Sequence, residues 1–200
     1  MLRGGFGLLT LAAIVAQLKV TADAGALNPV NYFSFFTIQS NLISAAVLLY
    51  PAYRGDGFKS ARLDWWRGAA SVYMTVTFFV VIFLLSEVDV GLQLVWVDVV
   101  LHKVIPIVIV ADYLLDPPAS RLSLADGLRW LIFPLIWLAY TLVRGPIAGW
   151  YPYPFLDPAH GGYGSVAVTS VAILVAGALL CGIYVWVGNA RGGPSRMALA

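Results

Sequence analysis

The sequence predicts an all-α polytopic membrane protein, a bundle of six transmembrane helices with both termini cytoplasmic. Three observations predict it. The 200 residues are 60% hydrophobic and only 11% charged, where a soluble domain carries roughly 25% charged residues. With a mean hydropathy of +0.85, too little polar side chain remains to cover a soluble globule. The apolar residues also gather in six segments, and about 20 such residues cross a hydrocarbon core. Finally, most Lys and Arg fall on alternate connections between those segments, and cytoplasmic loops carry the excess of positive charge.

The segments run approximately over 4–22, 33–53, 68–86, 96–115, 127–144 and 164–188. Together they make one integral membrane domain over 1–200, because the connections are too short for a soluble domain. Arg3 precedes the first span. Arg54, Lys59, Arg62 and Arg67 surround the second connection, Arg121 and Arg129 flank the fourth, and Arg191 and Arg196 follow the last span. These nine positives mark the cytoplasmic side. Lys19, Lys103 and Arg144 point the other way, and Glu87 and Asp89 in the third connection fit that outer side. The expected location is a bacterial plasma membrane, multi-pass. A second reading treats residues 6–18 and Ala22-Asp23-Ala24 as a signal-peptide core and cleavage site. It leaves five spans in the same orientation.

Turn chemistry falls between the spans. Asp116-Pro117-Pro118 ends the fourth, since proline cannot continue a helix. The fifth connection carries Trp150-Tyr151-Pro152-Tyr153-Pro154-Phe155. Trp and Tyr favour the lipid–water boundary, so this run reads either as an interfacial anchor or as a lid over an outward cavity. Cys181 is the only cysteine, forms no intramolecular disulfide, and reads as a small buried apolar residue.

The polar residues inside the spans carry the functional signal. In the second span, Thr37, Asn41 and Ser44 are spaced i, i+4, i+7, and Ser34 lies three residues earlier on the same helical face. In the fourth span, Asp98 and His102 are spaced i, i+4, so a carboxylate can hold one ring nitrogen and fix the tautomer. Pro106 follows and should kink the helix. Asp112 lies about 21 Å from Asp98 along that helix, too far to join an outer site. Lys103 points about 100° away from His102 and either snorkels outward or pairs with Asp98 or Glu87. Ionisable groups within lipid are costly and mark function. Charge topology brings Thr37 and His102 to the same outer half of the membrane. A hydroxyl beside an imidazole is the minimum set for nucleophilic attack on an ester.

No Gly-x-Ser-x-Gly elbow, His-Glu-x-x-His pair or phosphate-binding glycine loop occurs. With His102 and His160 as the only histidines, no metal centre is expected, nor any cofactor. A net charge of +2 offers nothing to nucleic acid. The expected partners are membrane lipids and a lipid or fatty-acyl substrate. The oligomeric state is not encoded legibly.

Phe36-Thr37-Ile38-Gln39-Ser40-Asn41-Leu42, His102-Lys103-Val104-Ile105-Pro106, Trp137-Leu138-Ala139-Tyr140 and Arg144-Gly145 resemble the bacterial six-span branch of the androgen-induced membrane protein family. The resemblance covers nearly the whole chain. Its animal members are intramembrane threonine hydrolases of fatty acid esters of hydroxy fatty acids. It implies Thr37 as nucleophile and His102 as base. Laid instead over Tyr32-Phe33-Ser34-Phe35, it makes Ser34 the rival nucleophile.

The expected function is therefore an intramembrane carboxylic ester hydrolase. Asp98 orients His102, while Asn41, Gln39 or a backbone N–H near the start of the second span stabilises the oxyanion. Arg144, with Tyr140 one turn before it, is the expected substrate-binding pair. The alternatives are a carrier or channel using Asp98, His102 and Asp112 as a proton route, and a regulatory membrane protein without chemistry.

Overall fold

The computed structural model describes residues 2–55, 57–86 and 94–192. Glu87, Asp89 and Arg196, assigned sides of the membrane above, lie outside them. Every element among the described residues is helical. They are α1 (Leu2–Asp23), α2 (Pro29–Ser34), α3 (Phe36–Arg54), α4 (Ala61–Leu84), α5 (Val95–Val99), a π-helical turn (Val100–Val104), α6 (Ile105–Leu115), α7 (Leu124–Arg129), α8 (Ile132–Ala148), two short 3-10 turns (Pro154–Leu156 and Pro158–His160) and α9 (Gly162–Arg191).

Among the described residues, four stretches are long and apolar enough to cross a membrane: Leu2–Asp23, Ala61–Leu84, Leu124–Ala148 and Gly162–Arg191. The other two expected spans differ for physical reasons. The second is broken at Phe35, whose extended backbone (φ −65°, ψ 127°) separates α2 from α3. The polar residues of α3 then dilute its apolar character. The fourth is one continuous helical stretch from Val95 to Leu115, but its winding changes at the π turn.

Local chemistry explains the boundaries. The Asn28 side chain accepts from Asn31 N at 3.1 Å and Pro29 opens α2. Ser60 caps α4 by accepting from Leu63 N at 3.2 Å. Ser123 and Asp126 form a reciprocal capping box on α7. Pro106 has no N–H, so it cannot donate to the preceding turn. The chain widens there instead, with Ile105 N–H reaching back to Val100 O. The expected kink thus takes the form of a π turn.

Packing is centred on α4, which lies against α3, α6 and α9, while α1 packs on α3 and α7 on α9. Polar side chains turn inward: Gln17, Thr37, Asn41, Ser44, Asp64 and His102 are all buried. Large apolar side chains turn outward, among them Leu8, Phe83, Ile107, Ile136, Val168 and Leu179. This inversion is what lipid favours, since a buried polar group there must find its partner inside the bundle. Cys181 is buried and free.

One end of the bundle is tied by charge. Arg3 Nε donates to Asp112 Oδ1 at 2.5 Å, and its Nη2 donates to Asp116 Oδ2 at 2.7 Å. Arg67 donates to Asp112 Oδ2 at 2.9 Å and to the Asp116 carbonyl at 2.6 Å. Lys59 donates to Asp116 Oδ1. Three positives read as sharing a face do gather at one place.

Candidate functional site

Thr37 lies in the first turn of α3, where backbone N–H groups have no partner within the helix. Its N–H donates to Tyr153 Oη at 3.3 Å, and its Oγ1 lies 3.2 Å from the same phenol oxygen. Both residues are buried. Burial pushes the Tyr153 phenol above its ordinary value, against the pull of its hydrogen bonds with Thr37. The phenol therefore keeps its proton at neutral pH and can donate.

Tyr153 comes from the loop between α8 and α9. Its ring packs against Phe35, Trp137 and Phe155, at centroid distances of 5.7, 6.0 and 5.3 Å. Neighbouring Tyr151 lies so close to α8 that a Cβ on Gly145 would stand 2.0 Å from its ring. Leu156 is also buried. Tyr153 of this aromatic run and Leu156 just after it thus turn inward.

His102 sits in the π turn, and its Nδ1 lies 2.6 Å from Asp98 Oδ1. An ionised carboxylate only accepts, so Nδ1–H donates, and in the neutral imidazole Nε2 then carries the lone pair. The same turn creates a vacancy in the backbone ladder. Ile105 N–H has gone to Val100 O, and Pro106 has no N–H to offer Leu101 O. Asn41 Nδ2 fills it at 3.2 Å and also donates to Thr37 O at 2.9 Å. One buried amide thus links the Thr37 turn to the His102 turn.

Thr37, Tyr153, Asp98 and His102 open onto one cavity of about 670 Å³, which Gln17 and Lys103 also line. The Thr37 N–H and hydroxyl bond to Tyr153 and the His102 ring bonds to Asp98; among the described residues no hydrogen bond joins Thr37 to His102. Thr37 and Tyr153 also line a second, apolar cleft.

The remaining expected residues sit elsewhere. Ser34 ends α2 rather than sharing a helix with Thr37; its Oγ donates to Val30 O at 2.6 Å and lies 2.9 Å from Tyr140 Oη. Gln39 Nε2 donates to Phe33 O at 2.8 Å, closing the end of α2. Asn41 braces the backbone as described. Arg144 Nη2 donates to Asn31 Oδ1 at 2.6 Å, and its guanidinium lies 5.5 Å from the Trp150 ring centroid. It thereby holds two residues of the cavity wall. Lys103 is exposed on the cavity; of its two expected partners, Asp98 pairs with His102 and Glu87 lies outside the described residues. Asp112 belongs to the ion cluster at the far end. Among the described residues no group of three His, Cys, Asp or Glu could hold a metal ion.

Tyr153 and Gln17 were not singled out in the sequence. Tyr153 stood in the aromatic run, but its target lies 116 residues away. Gln17 was hidden in a span that otherwise reads as plain lipid contact. A comparison of the chain with protein-family models, curated proteins and solved structures finds no match.

Proposed function

We propose that this chain is an intramembrane hydrolase of a lipid ester, with Thr37 as nucleophile and His102 as base. The observation that carries the reading is that Thr37, at a helix N-terminus, shares one cavity with an Asp98-oriented imidazole. Thr37 Oγ1 attacks the acyl carbonyl, and His102 Nε2 takes its proton and returns it to the leaving alkoxide. The Thr37 N–H and the Tyr153 O–H are the donors at hand for the oxyanion. Water then cleaves the acyl-threonine, with His102 taking the water proton. The resemblance to the androgen-induced membrane protein family, whose animal members cleave fatty acid esters of hydroxy fatty acids, supports the reaction class, hydrolysis of a fatty acyl ester, and leaves the alcohol half open.

The same reading makes all six segments membrane-crossing, with both termini cytoplasmic in a bacterial plasma membrane. Val95–Leu115 would extend about 31 Å despite its π turn, close to the hydrocarbon thickness. Arg3, Lys59 and Arg67 meeting at one end supports a single cytoplasmic face.

The test is labelling by a fluorophosphonate probe in membranes. The wild type and Ser34→Ala should label, while Thr37→Ala and His102→Ala should not. Equal labelling of all four proteins overturns the assignment.

A further inference from the structure

Thr37 and Tyr153 each line two unlike spaces. One is the cavity of about 670 Å³, whose wall mixes Gln17, Thr21, Asn31, Asp98 and Lys103 with apolar side chains such as Ile38. The other is a narrow cleft of about 90 Å³ between α4, α8 and α9. Val76, Val80, Leu135, Leu138 and Leu174 line it, and none of its described lining residues is charged. Leu135 is exposed on the outer flank, so the cleft is continuous with surface that would meet lipid.

An ester has two halves, and Thr37 would act between them. We propose that the carbonyl end of the acyl chain lies in the apolar cleft, with the rest of the chain running out past Leu135 into lipid, and that the alcohol half is a small neutral polyol in the cavity. The substrate class is then a monoacylglycerol-type ester, an inference that rests on the hydrolase reading above.

Three observations support the assignment. A second hydrocarbon chain in the cavity would strip water from amide, hydroxyl and charged groups and replace none of their hydrogen bonds. Polyol hydroxyls replace them. Gln17 lines this cavity at 2% exposure, and its buried Oε1 has no hydrogen-bond partner among the described residues; turning the amide toward the cavity offers that acceptor to a hydroxyl donor. Lys103 is the single Lys or Arg in the described lining, and Asp98 lies in the same wall. That balance suits a neutral headgroup better than a phosphate, which takes clustered cations.

The chemistry balances. Thr37 Oγ1 bonds to the acyl carbon, and the polyol oxygen leaves with the proton held by His102. Water then adds to the acyl carbon and gives His102 a proton, which returns to Thr37 as the fatty acid departs. A cavity larger than the polyol leaves space for that water.

The experiment uses the full chain in nanodiscs with three oleoyl esters: monooleoylglycerol, oleyl oleate, and the oleoyl ester of a hydroxystearic acid. The expected kcat/KM for monooleoylglycerol exceeds the other two by about 100-fold or more. In Gln17→Leu that preference falls by about tenfold. Because a ratio is read, partial misfolding cancels. Thr37-dependent preference for either two-chain ester overturns the polyol assignment and leaves the hydrolase reading intact. So does cleavage of a para-nitrophenyl ester through Thr37 with all three oleoyl esters untouched. An unchanged ratio in Gln17→Leu overturns the placement of the polyol in this cavity. If the para-nitrophenyl ester also survives, both readings fall.

Discussion

Tyr153 holds Thr37 by two contacts, one on the backbone N–H and one on the hydroxyl. With a single phenol hydrogen, the arrangement that satisfies both has Thr37 N–H donating to Oη and the phenol O–H donating to Oγ1. The threonine hydrogen is then free to turn toward the cavity. Tyr153→Phe keeps the ring among Phe35, Trp137 and Phe155 and removes only the hydroxyl. Under the hydrolase reading, kcat for a para-nitrophenyl ester should fall by about 100-fold, the usual cost of one oxyanion donor. An unchanged kcat would remove Tyr153 from the chemistry. The residue scale also shows what a sequence can reveal. Asp98 and His102 meet at 2.6 Å because i, i+4 neighbours share a helical face. Tyr153 and Thr37 meet only because a distant loop folds back over α3, and no periodicity encodes that.

Elements decide how the two turns of the site face each other. The π turn follows from Pro106, but the turn alone would leave Leu101 O without a donor. Asn41 supplies it from α3, so a local defect in one helix becomes a fixed contact with another. Asn41→Leu removes that donor within a buried site, and leaving one carbonyl unpaired costs about 1–3 kcal/mol. The expected result is a lower melting temperature in detergent together with reduced fluorophosphonate labelling of Thr37. Labelling at wild-type level in a destabilised variant would confine Asn41 to a structural role. The existence and rough extent of the helices were legible, because long apolar segments have few alternatives. The break at Phe35 was not. Neither Phe35 nor its neighbours is a Gly or Pro, and the break is held by a contact outside local sequence rules, Gln39 donating to Phe33 O. That break is also what takes Ser34 off the face of Thr37 and hands it to Tyr140.

Across the whole molecule, charge and polarity are sorted along the bundle as well as across it. The titratable pair Asp98–His102 lies toward one end, and the cluster of Arg3, Lys59, Asp64, Arg67, Asp112 and Asp116 lies at the other. The separation was readable, since Asp98 and Asp112 stand 14 residues apart on one continuous stretch. The pairing was not, because four separate parts of the chain supply the cluster. Its energetics can be tested through Asp116. Burial pushes this carboxyl up, but hydrogen bonds from Lys59 and Arg3 and the charge of Arg67 outweigh it and hold it below its ordinary value of 3.8. A carboxyl depressed in the folded state binds its proton more readily when unfolded. Its contribution to stability is therefore present above pH 3.8 and is lost as pH falls toward the lower folded value. Thermal melting of the detergent-solubilised protein should thus lose stability on the acid side of that value. Asp116→Asn should melt lower at neutral pH and show a shallower acid decline, because the group that titrates is gone. An acid limb of unchanged steepness would mean that other carboxylates carry it and that Asp116 is a bystander in the cluster.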